Sequence, residues 1–178
     1  MLTYMSIYDE ITRRVKEERL FLLNPAMPKS LVVRKIYVSS EIKSLLLGPW
    51  SERSLEVRCG YLRADIDRYI EGQLLAIAAS PYKGKTSYMK QLDPPRDEVW
   101  EIRSRDPKPG IRLFGRFSEK DVFIALSWHE RSNLKGPGSR QWRDAKEECK
   151  SEWRKLFPTY QPLMGNNINE YLTNNFLV

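Results

Sequence analysis

Histidine and cysteine are scarce in this chain. Of its 178 residues one is a histidine, His129, and two are cysteines, Cys59 and Cys149, which lie far apart. A single histidine excludes paired-histidine ribonuclease chemistry and a histidine-rich metal centre, and the two cysteines lack the spacing of a metal site. No group of Asp and Glu residues has the spacing of a two-metal nuclease. We therefore expect no metal, no cofactor and two reduced thiols.

Signals for a membrane or for export are also missing. The apolar run Leu74–Ala79 is far shorter than the roughly 20 residues that a helix needs to cross a bilayer. The acidic residues Asp9 and Glu10 come early, and the N-terminal segment has no apolar core of a signal peptide. The sequence therefore predicts a cytoplasmic protein without a membrane partner.

Positive charge is what the chain has in excess. It contains 30 Lys and Arg against 23 Asp and Glu, a net charge of +7, while 41% of its residues are hydrophobic. That hydrophobic fraction is typical of a globular protein, and the length fits one domain with its own core. The charge favours an anionic partner, either a nucleic acid or an acidic protein, although a soluble protein can also be basic without one.

Helical periodicity indicates four helices. They are predicted over residues 5–20, 40–47, 55–71 and 140–156. The segment "NPAMPKS" follows the first of them, and its two prolines break any helix, so it is predicted to be a linker. We therefore treat residues 1–28 as an N-terminal extension, docked through Ile7, Ile11 and Val15. Residues 29–157 form the central domain. Residues 158–178 form a polar tail with one helical turn near its end.

Five segments have the apolar or alternating pattern of strands. They cover residues 31–38, 86–92, 97–104, 111–117 and 121–127. The last four follow one another through short turns, which predicts antiparallel pairing in a meander. With the helices on one face, the sequence predicts an α+β fold, a small antiparallel β-sheet flanked by helices.

Alternation in the stretch Glu98–Phe117 sorts its side chains onto two faces of the sheet. One face is apolar and is predicted to carry the helices. The other is predicted to be open and holds Glu101, Arg103, Arg112, Phe114 and Arg116. Arginine binds phosphate bidentately and an aromatic ring stacks on an unpaired base, so this face suits single-stranded nucleic acid, with His129 and Arg131 at its rim. An ion pair of Arg103 with Glu101 explains the same pattern without a ligand.

The stretch 90–131 resembles the RelE-like toxin superfamily, particularly its HigB and phage-derived branch. The resemblance rests on "VWEIR", "GIRLFGRF" and "VFIALSWHER", and it extends over about residues 31–157 through the β-α-α order in front and the closing helix. It implies a small antiparallel sheet flanked by helices. For the nuclease members it implies mRNA cleavage at the ribosome without a metal, in which the 2′-hydroxyl of the RNA attacks the adjacent phosphate.

The resemblance also assigns roles to single residues. Arg103, Arg112 and Arg131 match basic positions that stabilise charge on the scissile phosphate. His129 is a candidate general acid or base, or else a structural group bonded to a carboxylate. Nucleic-acid contacts are expected from Arg116, Phe114 and Lys90. The implied partners are RNA or the ribosome, and a cognate antitoxin that covers the open face with acidic side chains.

Two departures from the family pattern keep other functions open. Glu101 stands where nuclease members often have a lysine, and "SWHERSNL" lacks their paired basic residues. The alternative is therefore a non-catalytic module that binds nucleic acid or protein on the same fold. A gyrase-poisoning toxin of the ParE branch is a third interpretation. The sequence leaves the oligomeric state open.

Overall fold

The computed structural model describes residues 6–178 of the chain, and this part contains four α-helices. They are Ile7–Lys16 (α1), Ser40–Leu47 (α2), Arg53–Ile70 (α3) and Arg140–Leu156 (α4). All four were predicted, and α2 and α4 have the predicted bounds. The predicted start of the first helix, residue 5, lies outside the described residues. None of these helices has the length and apolar character needed to cross a bilayer.

Serine side chains cap three of the helices, and two of these, α2 and α4, begin at the predicted residue. Ser39 accepts a hydrogen bond from the backbone N–H of Ile42, and Ser139 accepts one from that of Trp142. At α1, Ser6 and Asp9 form a reciprocal capping box. Each cap satisfies a backbone donor that the first turn of a helix leaves without a partner.

Eight strands form one mixed sheet within the described residues. They are Phe21–Leu22 (β1), Lys35–Val38 (β2), Leu75–Ala78 (β3), Met89–Gln91 (β4), Trp100–Ser104 (β5), Ile111–Glu119 (β6), Val122–Glu130 (β7) and Asn175–Leu177 (β8). Their order across the sheet is β1-β2-β7-β6-β5-β4-β3-β8. The fold is therefore α+β, as predicted from the sequence.

The sheet is larger and less uniform than a small antiparallel meander. Strands β4 to β7 do pair antiparallel in succession, as predicted. However, β2 pairs parallel with β7, and β3 pairs parallel with both β4 and β8. Helices α2 and α3 carry the chain from β2 on one side of the meander to β3 on the other, whereas the parallel neighbours β3 and β4 are joined by residues 79–88 without a helix.

Both faces of the sheet are covered, so the predicted open face is wrong. On one face, α2, α3 and the C-terminal segment pack on a core that includes Trp100, Leu113 and Phe117. On the other face, α4 and α1 pack on Phe114 and its neighbours. The reason is that α4 has its own apolar stripe. This stripe consists of Trp142, Ala145, Cys149, Trp153 and Leu156, all buried. Burial of each large side chain contributes about 1.5–3 kcal/mol.

The two terminal segments pack against the central elements. Ile11 of α1 is 2% exposed, Ile7 and Val15 pack beside it, and Nε of Arg14 donates to the carbonyl oxygen of Leu156 at 2.7 Å. The C-terminal segment, predicted to be polar, contributes buried residues of its own, namely Ile168, Tyr171 and Leu172. Its predicted helical turn is a short 3-10 helix, Ile168–Glu170.

Candidate functional site

Three of the candidate residues lie side by side on three adjacent strands. Arg103 of β5 is opposite Arg112 of β6, and Arg112 is opposite His129 of β7. Residues directly opposite each other in a sheet have Cβ atoms about 5 Å apart and point to the same face. The structure therefore brings Arg103, Arg112 and His129 into one row, on the face that α4 partly covers.

The turn between β5 and β6 brings Arg131 to the same end of the sheet. Gly110 ends this turn, and a Cβ atom there would lie 2.6 Å from the carbonyl oxygen of Ser104, so only glycine fits without a shift. The backbone N–H of Arg131 donates to the carbonyl oxygen of Gly110 at 2.8 Å. This bond holds the short helix Arg131–Leu134 beside the turn.

Arg103 is held by the buried carboxylate of Glu101. Its Nε donates to Oε1 of Glu101 at 2.7 Å, and its Nη1 donates to Oγ of Ser87 at 2.9 Å. Glu101 is fully buried, while the Arg103 side chain is 13% exposed. The ion pair that the sequence offered as the alternative explanation therefore exists.

Arg112 lies at the centre of a group of like charges. Its Nη1 donates to the carbonyl oxygens of Ser104 and Ile111 at 3.2 and 3.1 Å. Burial lowers the pKa of Arg112 to about 10; the nearby carboxylate of Glu101 opposes this, and three other guanidinium groups add to it. These three belong to Arg103, Arg131 and Arg105. We call the four residues Arg103, Arg105, Arg112 and Arg131 the arginine cluster.

The arginine cluster has more positive charge than its carboxylate partner neutralises. Within residues 6–178, Glu101 is the one acidic residue that forms an ion pair with any of its members. Guanidinium groups stay charged at neutral pH and bind phosphate through pairs of N–H donors. The excess of positive charge therefore makes the cluster a candidate site for an anion.

His129 lies opposite Arg112 of the cluster in the sheet, and its side chain contacts Glu148 of α4. Its Nε2 lies 3.2 Å from Oε2 of Glu148, and its ring centroid lies 5.3 Å from that of Phe114. Burial lowers the pKa of His129, and the Glu148 carboxylate partly opposes this shift. The lowered pKa favours the neutral imidazole, which can accept a proton. Glu148 is also the carboxylate that a purely structural role of the histidine would need.

Two residues expected to contact nucleic acid are not on an open surface. Phe114 is fully buried, with the ring of Trp142 at a centroid distance of 5.9 Å, so it has no free face for a base. Arg116 is 8% exposed. Its Nη2 donates to the carbonyl oxygen of Asp97 at 2.5 Å, and its guanidinium lies over the ring of Trp153. The expected exposure of both residues is wrong, because α4 packs on this face.

Lys90 and two residues that sequence reasoning missed complete the site. Lys90 is half-buried on β4, opposite Glu101, and its role in binding stays a prediction. Arg105 was missed because it lies in a segment interpreted as a turn, although its spacing of two from Arg103 was a usable signal. Ser87 gave no local signal, because its contact with Arg103 joins separate segments of the chain.

No group of three or more His, Cys, Asp or Glu side chains within the described residues is placed to hold a metal ion. No protein-family model matches the chain, and neither a curated protein nor a solved structure matches it significantly.

Proposed function

We propose that this chain is a RelE- and HigB-like toxin, or a protein derived from one, that cleaves mRNA at the ribosome in the cytoplasm without a metal. The observation that carries the proposal is the arginine cluster. Of its four guanidinium groups two are ion-paired within the described residues, both with Glu101, and Arg103 and Arg112 lie in one row with His129 across the strands. An RNA phosphate supplies the missing negative charge.

The chemistry requires stabilisation of charge that builds on the phosphate. When the 2′-hydroxyl attacks, the phosphorus gains a fifth oxygen ligand and additional negative charge. Arg112 is 8% exposed, and electrostatic interactions are stronger in such a poorly solvated place than in water. A positioned donor that acts on charge present only in the transition state contributes about 10²–10³ in rate. We assign this role to Arg112, with Arg103 and Arg131 binding the non-bridging oxygens.

His129 is suited to move the proton. Because burial lowers its pKa, the neutral imidazole accepts the proton of the attacking 2′-hydroxyl. The new bond joins the 2′-oxygen to phosphorus, and the bond from phosphorus to the 5′-oxygen breaks. The leaving 5′-oxygen takes the proton back from the imidazolium. The products are a 2′,3′-cyclic phosphate and a 5′-hydroxyl end.

The order of elements supports the same assignment. Strand β2 is followed by α2 and α3, the antiparallel run β4 to β7 follows later in the chain, and α4 comes after it. This is the order expected from the resemblance, with β1, β3 and β8 as additions to the sheet. A cognate antitoxin is proposed as a second partner that presents carboxylates to the arginine cluster.

One observation favours a different function on the same fold. The Glu101 carboxylate forms ion pairs with both Arg103 and Arg112, and it already accepts a hydrogen bond from Nε of Arg103. A buried carboxylate beside the scissile phosphate repels the charge that builds in the transition state. The second candidate is therefore a module that binds RNA through the outer members of the cluster without cleaving it.

The test uses purified protein, ribosomes and a defined mRNA, with cleavage sites mapped by primer extension. The proposal expects cleavage that is abolished when the scissile nucleotide carries a 2′-deoxyribose, because the attacking hydroxyl is then missing. Binding of the mRNA without any cleavage favours the second candidate. If the protein neither binds nor cleaves the mRNA, the nucleic-acid interpretation is wrong.

A further inference from the structure

A groove with a volume of about 330 Å³ lies beside the arginine cluster, where α3, the chain before β4 and strand β8 meet. Arg103 and Arg105 of the cluster form one side of it. The volume is within the range of roughly 300–1,000 Å³ found for pockets that hold small molecules. The groove is therefore a second space next to the arginine cluster, with two of its lining residues in common with the cluster.

Two aromatic rings on the groove wall are accessible. Tyr61 on α3 is 56% exposed, and Phe176 on β8 is 45% exposed. Phe176 is held in place because it lies opposite Ala76 of β3, which also lines the groove. Exposed aromatic rings next to cationic groups are typical of proteins that bind single-stranded nucleic acid, because every base can stack on them.

The polar groups of the groove can recognise the edge of a base. Asp65 of α3 lies 3.6 Å from Arg68, whose guanidinium stands over the ring of Tyr88. Burial raises the pKa of Asp65, while Ser104 and Arg68 oppose the shift. A carboxylate accepts hydrogen bonds from the exocyclic amino group of a base, as Asp and Glu do with cytosine.

We propose that this groove binds an unpaired nucleobase of the same RNA whose phosphate lies on the arginine cluster. Tyr61 and Phe176 provide the stacking surface, and Asp65 contacts the base edge. Arg103 belongs to both sites, since it lines the groove and forms the ion pair with Glu101. The inference rests on the proposed function, because that function supplies the RNA.

The test measures the affinity of a short fluorescent RNA and of an abasic oligonucleotide of the same length. Tyr61→Ala should weaken binding of the RNA about tenfold, because stacking of one base contributes at about this level. It should leave the abasic oligonucleotide unaffected. Tyr61→Phe keeps the ring and should bind like the wild type. Tyr82→Ala is the matched control, because Tyr82 is similarly exposed, at 50%, and does not line the groove.

The outcomes separate the groove from the cluster. Arg112→Ala should weaken both oligonucleotides, because it acts through the phosphates. The groove does not bind a base if Tyr61→Ala leaves both affinities unchanged or lowers the affinity for both oligonucleotides equally. The same conclusion follows if Tyr61→Ala weakens RNA binding no more than Tyr82→Ala does. If Tyr61→Ala acts selectively and Arg112→Ala has no effect, the groove stands and the proposed role of the cluster is wrong. Absence of RNA binding by the wild type overturns both.

Discussion

Nε of Arg112 lies 3.5 Å from Oε2 of Glu101, and neither atom has a hydrogen-bond partner within the described residues. The other carboxylate oxygen, Oε1, accepts a hydrogen bond from Nε of Arg103 at 2.7 Å. One buried carboxylate therefore serves two guanidinium groups and satisfies only one of them with a hydrogen bond. The Nε–H of Arg112 is therefore a buried donor without a hydrogen bond, and such a donor is costly to leave unsatisfied.

Replacing this carboxylate should destabilise the protein. Glu101→Gln removes the one acidic partner of two largely buried guanidinium groups, and breaking such a pair costs about 3–5 kcal/mol. We expect a loss of this size in the free energy of unfolding, measured with urea, and a partial recovery when inorganic phosphate is added. Glu147→Gln is the control, because its side chain is 61% exposed on α4. Equal stability of the two variants would contradict the role given to Glu101.

Arg116 should matter for stability and not for RNA. Its guanidinium donates to the carbonyl oxygens of Asp97 and Glu98 and packs on Trp153. Hydrogen bonds that involve a charged group contribute about 1.5–3 kcal/mol. Arg116→Ala should therefore lower the free energy of unfolding by about 2 kcal/mol, with unchanged RNA affinity per folded molecule. A selective loss of RNA binding would restore the original sequence-based interpretation.

The only histidine gives a direct readout of the site. Because the chain contains one histidine, the imidazole Hε1 signal in proton NMR reports His129 alone. Burial lowers its pKa, so the titration midpoint should lie below the usual value of 6.5. Glu148→Gln removes the charge that opposes this shift and should move the midpoint lower still. A wild-type midpoint at or above 6.5 would show that the imidazole is exposed or fully ion-paired.

A buried arginine outside the site should be critical for the C-terminal segment. Arg34 is fully buried, and its Nη2 donates to the carbonyl oxygens of Gln73 and Thr173 at 2.8 and 2.7 Å. Arg34→Met leaves these carbonyl oxygens without a donor, and each buried acceptor without a partner destabilises the fold by about 1–3 kcal/mol. We expect the free energy of unfolding to fall by at least about 3 kcal/mol and the backbone amides of β8 to exchange hydrogen faster. Arg53→Met, at an exposed position on α3, should change neither.

The elements that could be predicted are those with local signals. Helix α4 has a serine cap and an apolar stripe at helical spacing, and β6 and β7 follow short turns. Strand β3 was missed because a short apolar run such as Leu75–Ala78 does not distinguish a strand from a helix by periodicity. Strand β8 has three residues and pairs with distant β3, so no local pattern indicates it.

The candidate site also has a part that could be predicted from the sequence and a part that could not. The adjacency of Arg103 and Arg112 could be predicted, because a short turn fixes the register of neighbouring strands. His129 was expected only at the rim of the same face. The burial of Phe114 and Arg116 could not. Alternation shows which side chains share a face, but it does not show which helix packs on that face. The apolar stripe of α4 indicates that this helix packs on the sheet, but the sequence-based prediction placed α4 on the opposite face from the one that it covers.

The most direct test of the account is the rate of ribosome-dependent mRNA cleavage by Arg112→Ala, expressed per folded molecule. Arg96→Ala is the control, because Arg96 is exposed in the short helix Pro95–Asp97, at the opposite end of β5. We expect the wild type and Arg96→Ala to cleave at equal rates and Arg112→Ala to be slower by about 10²–10³. Equal rates for all three proteins, or no cleavage by the wild type, would contradict the assignment of the arginine cluster as a catalytic site.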